Sequence, residues 1–235
     1  MKQIQYEKVD TAGQITAVVS RVNANIKKSA IARDILSLDA TIEQVVFVMP
    51  QLIADYMPRL DMMGDELSIN GSLAGAYVAL QRADAQSGSF EISGLRDPVR
   101  AEISNSCISI TFPDTIVRRI ESAKNTVVLA GISYYVVEAT LPVQQLTPAQ
   151  RETIPKLLEE NPAAGIVFYQ ANQIQPVVFV EETNSLVWEQ ACGSGSLAFS
   201  LLTGISTVKQ PSGSYITITT SGDTLGVSVP VRKVD

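Results

Sequence analysis

The sequence contains no histidine among its 235 residues, and this absence excludes several kinds of active site. Ser-His-Asp triads, Cys-His dyads and zinc sites built on imidazole all need a histidine side chain. The chain has only two cysteines, Cys107 and Cys192, so a zinc site made of thiolates is excluded as well. So few cysteines also argue against a disulfide framework, and we therefore expect a reducing compartment, the cytoplasm.

Long apolar runs and basic clusters are also missing. No stretch approaches the length of a membrane span, and the opening MKQIQYEKVD lacks the apolar region of a signal peptide. No run of Lys and Arg occurs, and the formal net charge at pH 7 is -6. We therefore expect neither a membrane nor a nucleic acid as a partner.

The composition that remains is that of an ordinary globular protein. Hydrophobic residues make up 46% of the chain and charged residues 18%. This is enough apolar material for one large core or for two smaller ones.

One short segment occurs twice. The sequence ACGSGSLAF at residues 191–199 resembles LSINGSLAG at residues 67–75, with Ser68 aligned to Cys192 at a shift of 124 positions. Two weaker matches, AG at 12–13 with 130–131 and VVFV at 45–48 with IVFY at 166–169, have shifts of 118 and 121. Because the three matches keep their order, we predict two homologous halves, residues 1–112 and 113–235. The boundary is predicted near Pro113, and the last strand, 225–235, is expected to return to the N-terminal half.

Each half has the same coarse plan of strands, a helix, further strands, the Gly/Ser turn, an apolar helix and closing strands. We therefore predict an α+β fold with mostly antiparallel pairing. The predicted helices are 27–38, 70–82, 148–160 and 194–204. The predicted strands are 4–9, 15–20, 44–49, 58–67, 88–94, 99–104, 107–111, 126–130, 133–139, 165–170, 176–190, 214–220 and 225–232.

The repeated turn is a candidate binding site for an anion. Free backbone N–H groups and the positive end of the helix dipole can hold a carboxylate there without a cationic side chain. Cys192 begins one copy, and we expect the same field to lower its thiol pKa. A thiolate beside a carboxylate suits removal of the proton from the adjacent carbon. If the two turns face each other, Ser68 and Cys192 lie on opposite faces of one carbon, which allows inversion without a cofactor.

A structural role is the alternative at this stage. Gly/Ser turns commonly cap helices, and free cysteines are commonly small buried hydrophobic residues. For Cys107, which lies in an alternating strand pattern, we prefer the structural role. For Cys192 both roles stay open on this motif alone, and the matching turn at Ser68 favours function.

These residues resemble diaminopimelate epimerase and the cofactor-independent amino-acid racemases and epimerases related to it. The segment WEQACGSG, residues 188–195, is similar to the ACGSG signature of that family, and SINGS, residues 68–72, is similar to its CGNGA segment. The opening YEKVDTAGQ, residues 6–14, resembles the start of the family. The resemblance implies two pseudo-symmetric halves, each a mostly antiparallel β-structure around a central helix, with the active site in the cleft between them. It also implies that no pyridoxal phosphate or metal is used, and it implies a homodimer.

The resemblance also implies roles for individual residues. Cys192 matches one of the family's two catalytic cysteines, and Ser68 stands in place of the other. Substrate contacts are implied for the side chain of Gln14 and for the backbone at Asn70, Gly71, Gly193 and Ser194. A serine hydroxyl is a much weaker acid than a thiol and a poor base at neutral pH. Three alternatives stay open: a cysteine replaced by serine to trap a complex, a natural serine in an enzyme that eliminates, and loss of catalysis.

The family's ligands for a second carboxylate are missing here. Ile132 stands at one such position, Ala163 or Ala164 at another, and Thr183-Asn184 in place of the usual Glu-Arg pair. The pattern is closer to the related histidine racemases that feed opine-type metallophores, so we expect a single-carboxylate amino acid such as histidine. The alternatives are a lyase or isomerase that uses one thiolate, and an inactive amino-acid-binding protein. Five further polar residues are weaker candidates for contact with an ammonium or a polar side chain: Glu43, Gln44, Glu181, Glu182 and Glu189.

Overall fold

The computed structural model describes residues 5–20, 27–50 and 57–234. The four helices of this part of the chain are α1 (Lys28–Leu38), α2 (Ile69–Arg82), α3 (Pro148–Leu158) and α4 (Gly193–Thr203). Its strands are β1 (Tyr6–Thr11), β2 (Gln14–Ser20), β3 (Gln44–Val48), β4 (Leu60–Met62), β5 (Ser87–Phe90), β6 (Val99–Ser104), β7 (Cys107–Pro113), β8 (Val117–Glu121), β9 (Thr126–Leu129), β10 (Ile132–Glu138), β11 (Ala163–Gln170), β12 (Gln173–Val180), β13 (Ser185–Trp188), β14 (Thr207–Lys209), β15 (Tyr215–Ser221) and β16 (Thr224–Val234). Residue 4 of the first predicted strand and residue 235 of the last lie outside the described residues.

The fold is α+β, as predicted, and strands dominate it. One order of pairing occurs twice along the chain. In residues 6–82, β1 and β2 form an antiparallel hairpin, β3 lies parallel to β2 after α1, and β4 runs antiparallel to β3 before α2. Residues 126–203 repeat this order. Strands β9 and β10 form an antiparallel hairpin, β11 lies parallel to β10 after α3, and β12 runs antiparallel to β11. Strand β13 then precedes α4. The parallel pairings of β2 with β3 and of β10 with β11 were not predicted; they need a crossover, which α1 and α3 supply.

Some predicted strands differ from the observed ones. The prediction of one strand over 176–190 is wrong, because a turn at residues 181–184 separates β12 from β13, and Asn184 there has a φ of 48°. The predicted strand 58–67 is reduced to β4, and the short strands β8 and β14 were not predicted.

Helix α2 is buried along most of its length, because small residues form most of its first turns. A Cβ atom at Gly75 would lie 3.0 Å from a methyl group of Leu60 in β4, so a glycine lets the sheet approach closely. The first seven residues of α4 are likewise buried. None of the helices within the described ranges is both long and apolar enough to cross a membrane.

The last strand connects early and late parts of the chain. Strand β16 pairs antiparallel with β1, from Lys8 opposite Val234 to Thr11 opposite Val231. It also pairs antiparallel with β7 and with β15. Residues close to the two chain ends therefore lie in one sheet, beside the start of α2 and α4.

Candidate active site

The N-termini of α2 and α4 lie against each other. The side chain of Asn70, in the first turn of α2, accepts a hydrogen bond from the amide of Gly193 at 2.8 Å and donates one to the carbonyl of Ala191 at 3.3 Å. A Cβ atom at Gly193 would lie 2.8 Å from the Asn70 Oδ1 and 2.9 Å from the Cβ of Ile69. Only glycine permits this approach, because both obstacles belong to the opposing helix start.

Both repeated turns begin their helix with a side-chain cap. The Oγ of Ser68 accepts from the amide of Gly71 at 3.1 Å, and the Sγ of Cys192 accepts from the amide of Gly195 at 3.2 Å. Four backbone amides were predicted to bind the substrate carboxylate. Two of them, those of Gly71 and Gly193, already have acceptors within the protein.

A narrow pocket with a cavity volume of about 20 Å³ lies beside the two helix starts. It contains Ser68 and Ser194 of the predicted site, and none of its lining residues is a Lys or Arg. Elements before and after residue 113 both contribute to its wall, which consists of Glu43, Gln44, Met63, Glu66, Leu67, Ser68, Ile132, Tyr134, Val178, Val180, Ser185, Val187, Glu189 and Ser194. In the part of the chain that the structure describes, no group of three or more cysteine or carboxylate side chains is arranged to hold a metal ion.

Cys192 does not line this pocket; it belongs to the main hydrophobic core, and its sulfur contacts polar side chains of the pocket wall. The residue is 4% exposed. Its Sγ is 3.4 Å from the Oη of Tyr134 and 3.7 Å from the Oγ of Ser194, and both of these residues line the pocket. The carboxyl of Glu189 is near enough to the sulfur to raise the pKa of the thiol.

The expected lowering of the Cys192 pKa is wrong. Burial raises the pKa of the Cys192 thiol well above its usual range, and the negative charge of Glu189 and a hydrogen bond with it raise it further. Hydrogen bonds from Tyr134 and from the amide of Gly195 lower the thiol pKa, but by less. Desolvation and a neighbouring carboxylate therefore outweigh the helix N-terminus here.

Ser68 is held by a chain of side-chain amides. Its hydroxyl donates to the Oε1 of Gln44 at 2.7 Å, and the Nε2 of Gln44 donates to the Oε1 of Gln14 at 2.8 Å. The Ser68 proton therefore points to a neutral amide oxygen, not to a base. The buried Nε2 of Gln14 has no acceptor at hydrogen-bonding geometry among the described residues, although it is close enough to Glu43 and Glu189 to lower the pKa of both.

Three carboxyl groups of the pocket have raised pKa values, and burial is the largest cause for each. The pKa rises to about 8 for Glu43, about 7 for Glu66 and about 7 for Glu189. Glu43 and Glu189 also repel each other. One carboxylate oxygen of Glu189 is buried without a hydrogen-bond donor from the described residues.

Part of this set of pocket residues was predicted from the sequence. Glu43, Gln44 and Glu189 were weak candidates that do line the pocket, whereas Glu181 and Glu182 are exposed and lie outside its wall. Glu66 and Tyr134 were missed. Glu66 lies two residues before Ser68, but nothing in the sequence distinguishes it from a surface carboxylate, and Tyr134 is brought to Cys192 only by the sheet.

Comparisons with known proteins point to racemases and epimerases. Residues 3–233 match the family described as the histidine racemase CntK N-terminal domain. The histidine racemase of Staphylococcus aureus is 22% identical, and the match covers 97% of this chain and 93% of that protein. A predicted epimerase of Pseudomonas aeruginosa has a similar structure, with a TM-score of 0.67, 11% identity and coverage of 98% of this chain and 96% of that one. A probable proline racemase of Agrobacterium radiobacter gives a TM-score of 0.62 at 12% identity, covering 99% and 91% of the two chains.

Proposed function

Because the chain belongs to the histidine racemase CntK N-terminal domain family, we propose that it is a cofactor-independent amino-acid racemase. Its active site is the pocket beside the N-termini of α2 and α4. The observation that carries the proposal is the junction of these two helices, one capped by Ser68 and the other by Cys192. In this proposal residues 1–112 and 113–235 are two pseudo-symmetric halves, each built around α2 or α4, with the cleft between them.

The two helix starts bind the α-carboxylate of the substrate. The amides of Asn70 and Ser194 are the proposed donors, since those of Gly71 and Gly193 already have acceptors in the protein. No cationic side chain lines the pocket, so a second carboxylate would find no partner there. The substrate is therefore a single-carboxylate amino acid, and histidine is the first candidate because a relative that matches almost the full chain is a histidine racemase.

The substrate ammonium binds to Glu189. This carboxylate has a buried oxygen without a donor among the described residues, and an ammonium supplies one. The Nε2 of Gln14, also buried without an acceptor, faces the same carboxyl and is proposed to contact the bound substrate. The positive ammonium offsets the charge of Glu189, and this lowers the pKa of Cys192 when substrate is bound.

Cys192 then acts as a thiolate and takes the α-proton from one face of the carbon. The electron pair left on the carbon is delocalised into the carboxylate at the helix N-termini, where the N–H groups stabilise the developing charge. Ser68 stands on the opposite face and returns a proton there. Because a hydroxyl is a poorer acid and base than a thiol, the step on the Ser68 face is the slow one.

A second candidate is a lyase or isomerase on the same scaffold, in which Cys192 works alone. The observation that favours it is the hydrogen bond from Ser68 to Gln44, which leaves the serine without a base to activate it.

Replacement of Ser68 by cysteine tests the proposal. A cysteine fits at this helix start, because Cys192 caps α4 in the same way. Ser68→Cys is expected to raise the rate of histidine racemisation by about 10²-fold or more, since an acid–base group of suitable pKa is restored. The measurement is chiral chromatography of histidine after incubation with each protein.

The double variant Ser68→Cys, Cys192→Ser is the control and should show no gain. The racemase proposal is overturned if Ser68→Cys gives no gain with histidine or with any other single-carboxylate amino acid.

A further inference from the structure

Tyr134 is a fully buried tyrosine for which the opposite strand leaves space. It lies on β10 directly opposite Gly165 of β11. A Cβ atom at Gly165 would lie 2.2 Å from the Cε1 of the tyrosine ring, so the ring occupies the volume that any other side chain at 165 would need. The position of the tyrosine hydroxyl is therefore determined by the sheet.

The hydroxyl of Tyr134 forms a link between the thiol and the pocket. Its Oη is 3.4 Å from the Sγ of Cys192 and 2.7 Å from the Oγ of Ser194. Tyr134 and Ser194 line the pocket, whereas Cys192 does not. Sulfur, phenol oxygen and serine oxygen thus form a continuous chain of groups that can each donate or accept.

We propose that Tyr134 is a positioning residue that sets the ionisation of Cys192, through a hydrogen-bond chain that reverses its direction. With a neutral thiol, the S–H donates to the Tyr134 Oη and the phenol donates to Ser194. When the thiol proton leaves, Ser194 donates to the phenol oxygen and the phenol O–H donates to the thiolate. The number of protons on the two oxygens is the same in both states. The inference deepens the proposed function, since it concerns the thiol that we assign as the acid–base group.

The groups around the sulfur shift the balance between thiol and thiolate in opposite directions. Glu189, three residues before Cys192, disfavours the thiolate, whereas Tyr134 and the amide of Gly195 favour it. Glu43, just before β3, repels Glu189, and the charge of Glu66, just before α2, raises the pKa of Glu189. Burial raises the pKa of Tyr134 well above its usual range, so this phenol keeps its proton and remains a donor.

Titration of the thiol in the Tyr134→Phe variant tests the inference. The ultraviolet absorbance of the thiolate is followed against pH in full-length Cys107→Ser protein, and the same titration of a Cys192→Ser variant is subtracted. Loss of one hydrogen bond to a charged sulfur should raise the midpoint by about one pH unit, which is about a tenfold smaller thiolate fraction below the midpoint.

Tyr135→Phe is the matched control. Tyr135 follows on the same strand and packs into a different apolar cluster, so its variant should titrate like the parent protein. Equal midpoints for Tyr134→Phe and the parent would overturn the inference.

If Tyr134→Phe fails to fold, a second variant tests the same hydrogen-bond chain. Ser194→Ala removes the donor that supports the phenol, and its midpoint should move in the same direction by a smaller amount. No shift in Ser194→Ala would then overturn the inference. The titration needs no substrate, so it gives its answer even if the chain racemises nothing.

Discussion

Glu189 is the residue whose charge dominates the surroundings of Cys192. Its carboxyl raises the pKa of that thiol, has one oxygen without a donor from the described residues, and lies near the Nε2 of Gln14, which has no acceptor among them. Burial raises its pKa to about 7. The group therefore changes charge near neutral pH, where small changes in its surroundings have large effects.

Substitution of Glu189 by Gln should weaken substrate binding and activate the thiol at the same time. We expect the KM for histidine to rise about tenfold, because one charge-assisted hydrogen bond to the ammonium is lost. In the parent protein binding should strengthen as the pH rises through about 7, since the Glu189 carboxyl must ionise to hold an ammonium. That pH dependence should be absent in Glu189→Gln, and alkylation of Cys192 at pH 7 should become faster.

Glu181→Gln is the control for this prediction, because Glu181 is exposed and outside the pocket. An unchanged KM together with an unchanged alkylation rate in Glu189→Gln would show that this carboxyl acts on neither substrate nor thiol.

At the scale of residues, the positions of Ser68 and Cys192 could be predicted from sequence, and the state of the thiol could not. A residue that begins a Gly/Ser turn before an apolar helix is recognisable because capping is local. The thiol pKa depends on Glu189, on burial and on Tyr134, which lies 58 positions away in the sequence. Such a contact exists only after β10 and α4 have packed.

The junction of α2 and α4 is the contact between elements on which the proposed active site depends. Asn70 holds Gly193 and Ala191, so the start of one helix is tied to the start of the other. In the proposed site, a carboxylate beside this junction would interact with both helix N-termini.

Gly193→Ala should separate the two helix starts. The added methyl group would meet the side chains of Asn70 and Ile69 at 2.8–2.9 Å, so α4 must shift. We expect a loss of about 1–3 kcal/mol in the free energy of unfolding, which is the usual cost of overpacking. Racemisation should fall by about 10²-fold, because the acid–base groups are displaced.

Chemical denaturation and the racemisation assay measure the two effects. Ser200→Ala, two turns further along α4 and half-buried, is the control and should change neither. Parent-like racemisation in Gly193→Ala would contradict the idea that this junction positions the reacting groups.

At the scale of elements, the helices were predicted within a few residues, because apolar periodicity and caps are local signals. The parallel pairing of β2 with β3 and of β10 with β11 was not predicted, because strand direction depends on the crossover geometry. The division of β12 from β13 was missed because the turn residues EETN lack glycine and proline.

The whole molecule brings distant parts of the chain to one pocket. Strand β16 joins β1, β7 and β15, and the pocket wall takes residues from Glu43 to Ser194. The wall has three carboxyl groups and no Lys or Arg, so positive character beside the pocket comes from the helix starts. This arrangement supports the proposal of a substrate with one carboxylate and an ammonium group.

In the proposed reaction, a thiol and a hydroxyl act on opposite faces of one α-carbon. Its most direct test is incubation of L-histidine and D-histidine separately in deuterated water, with α-deuterium followed by NMR and configuration by chiral chromatography. We expect one enantiomer to gain deuterium faster than it inverts, and its mirror image not to do so. A product that is no longer histidine, or no deuterium in either enantiomer, would contradict this two-sided mechanism.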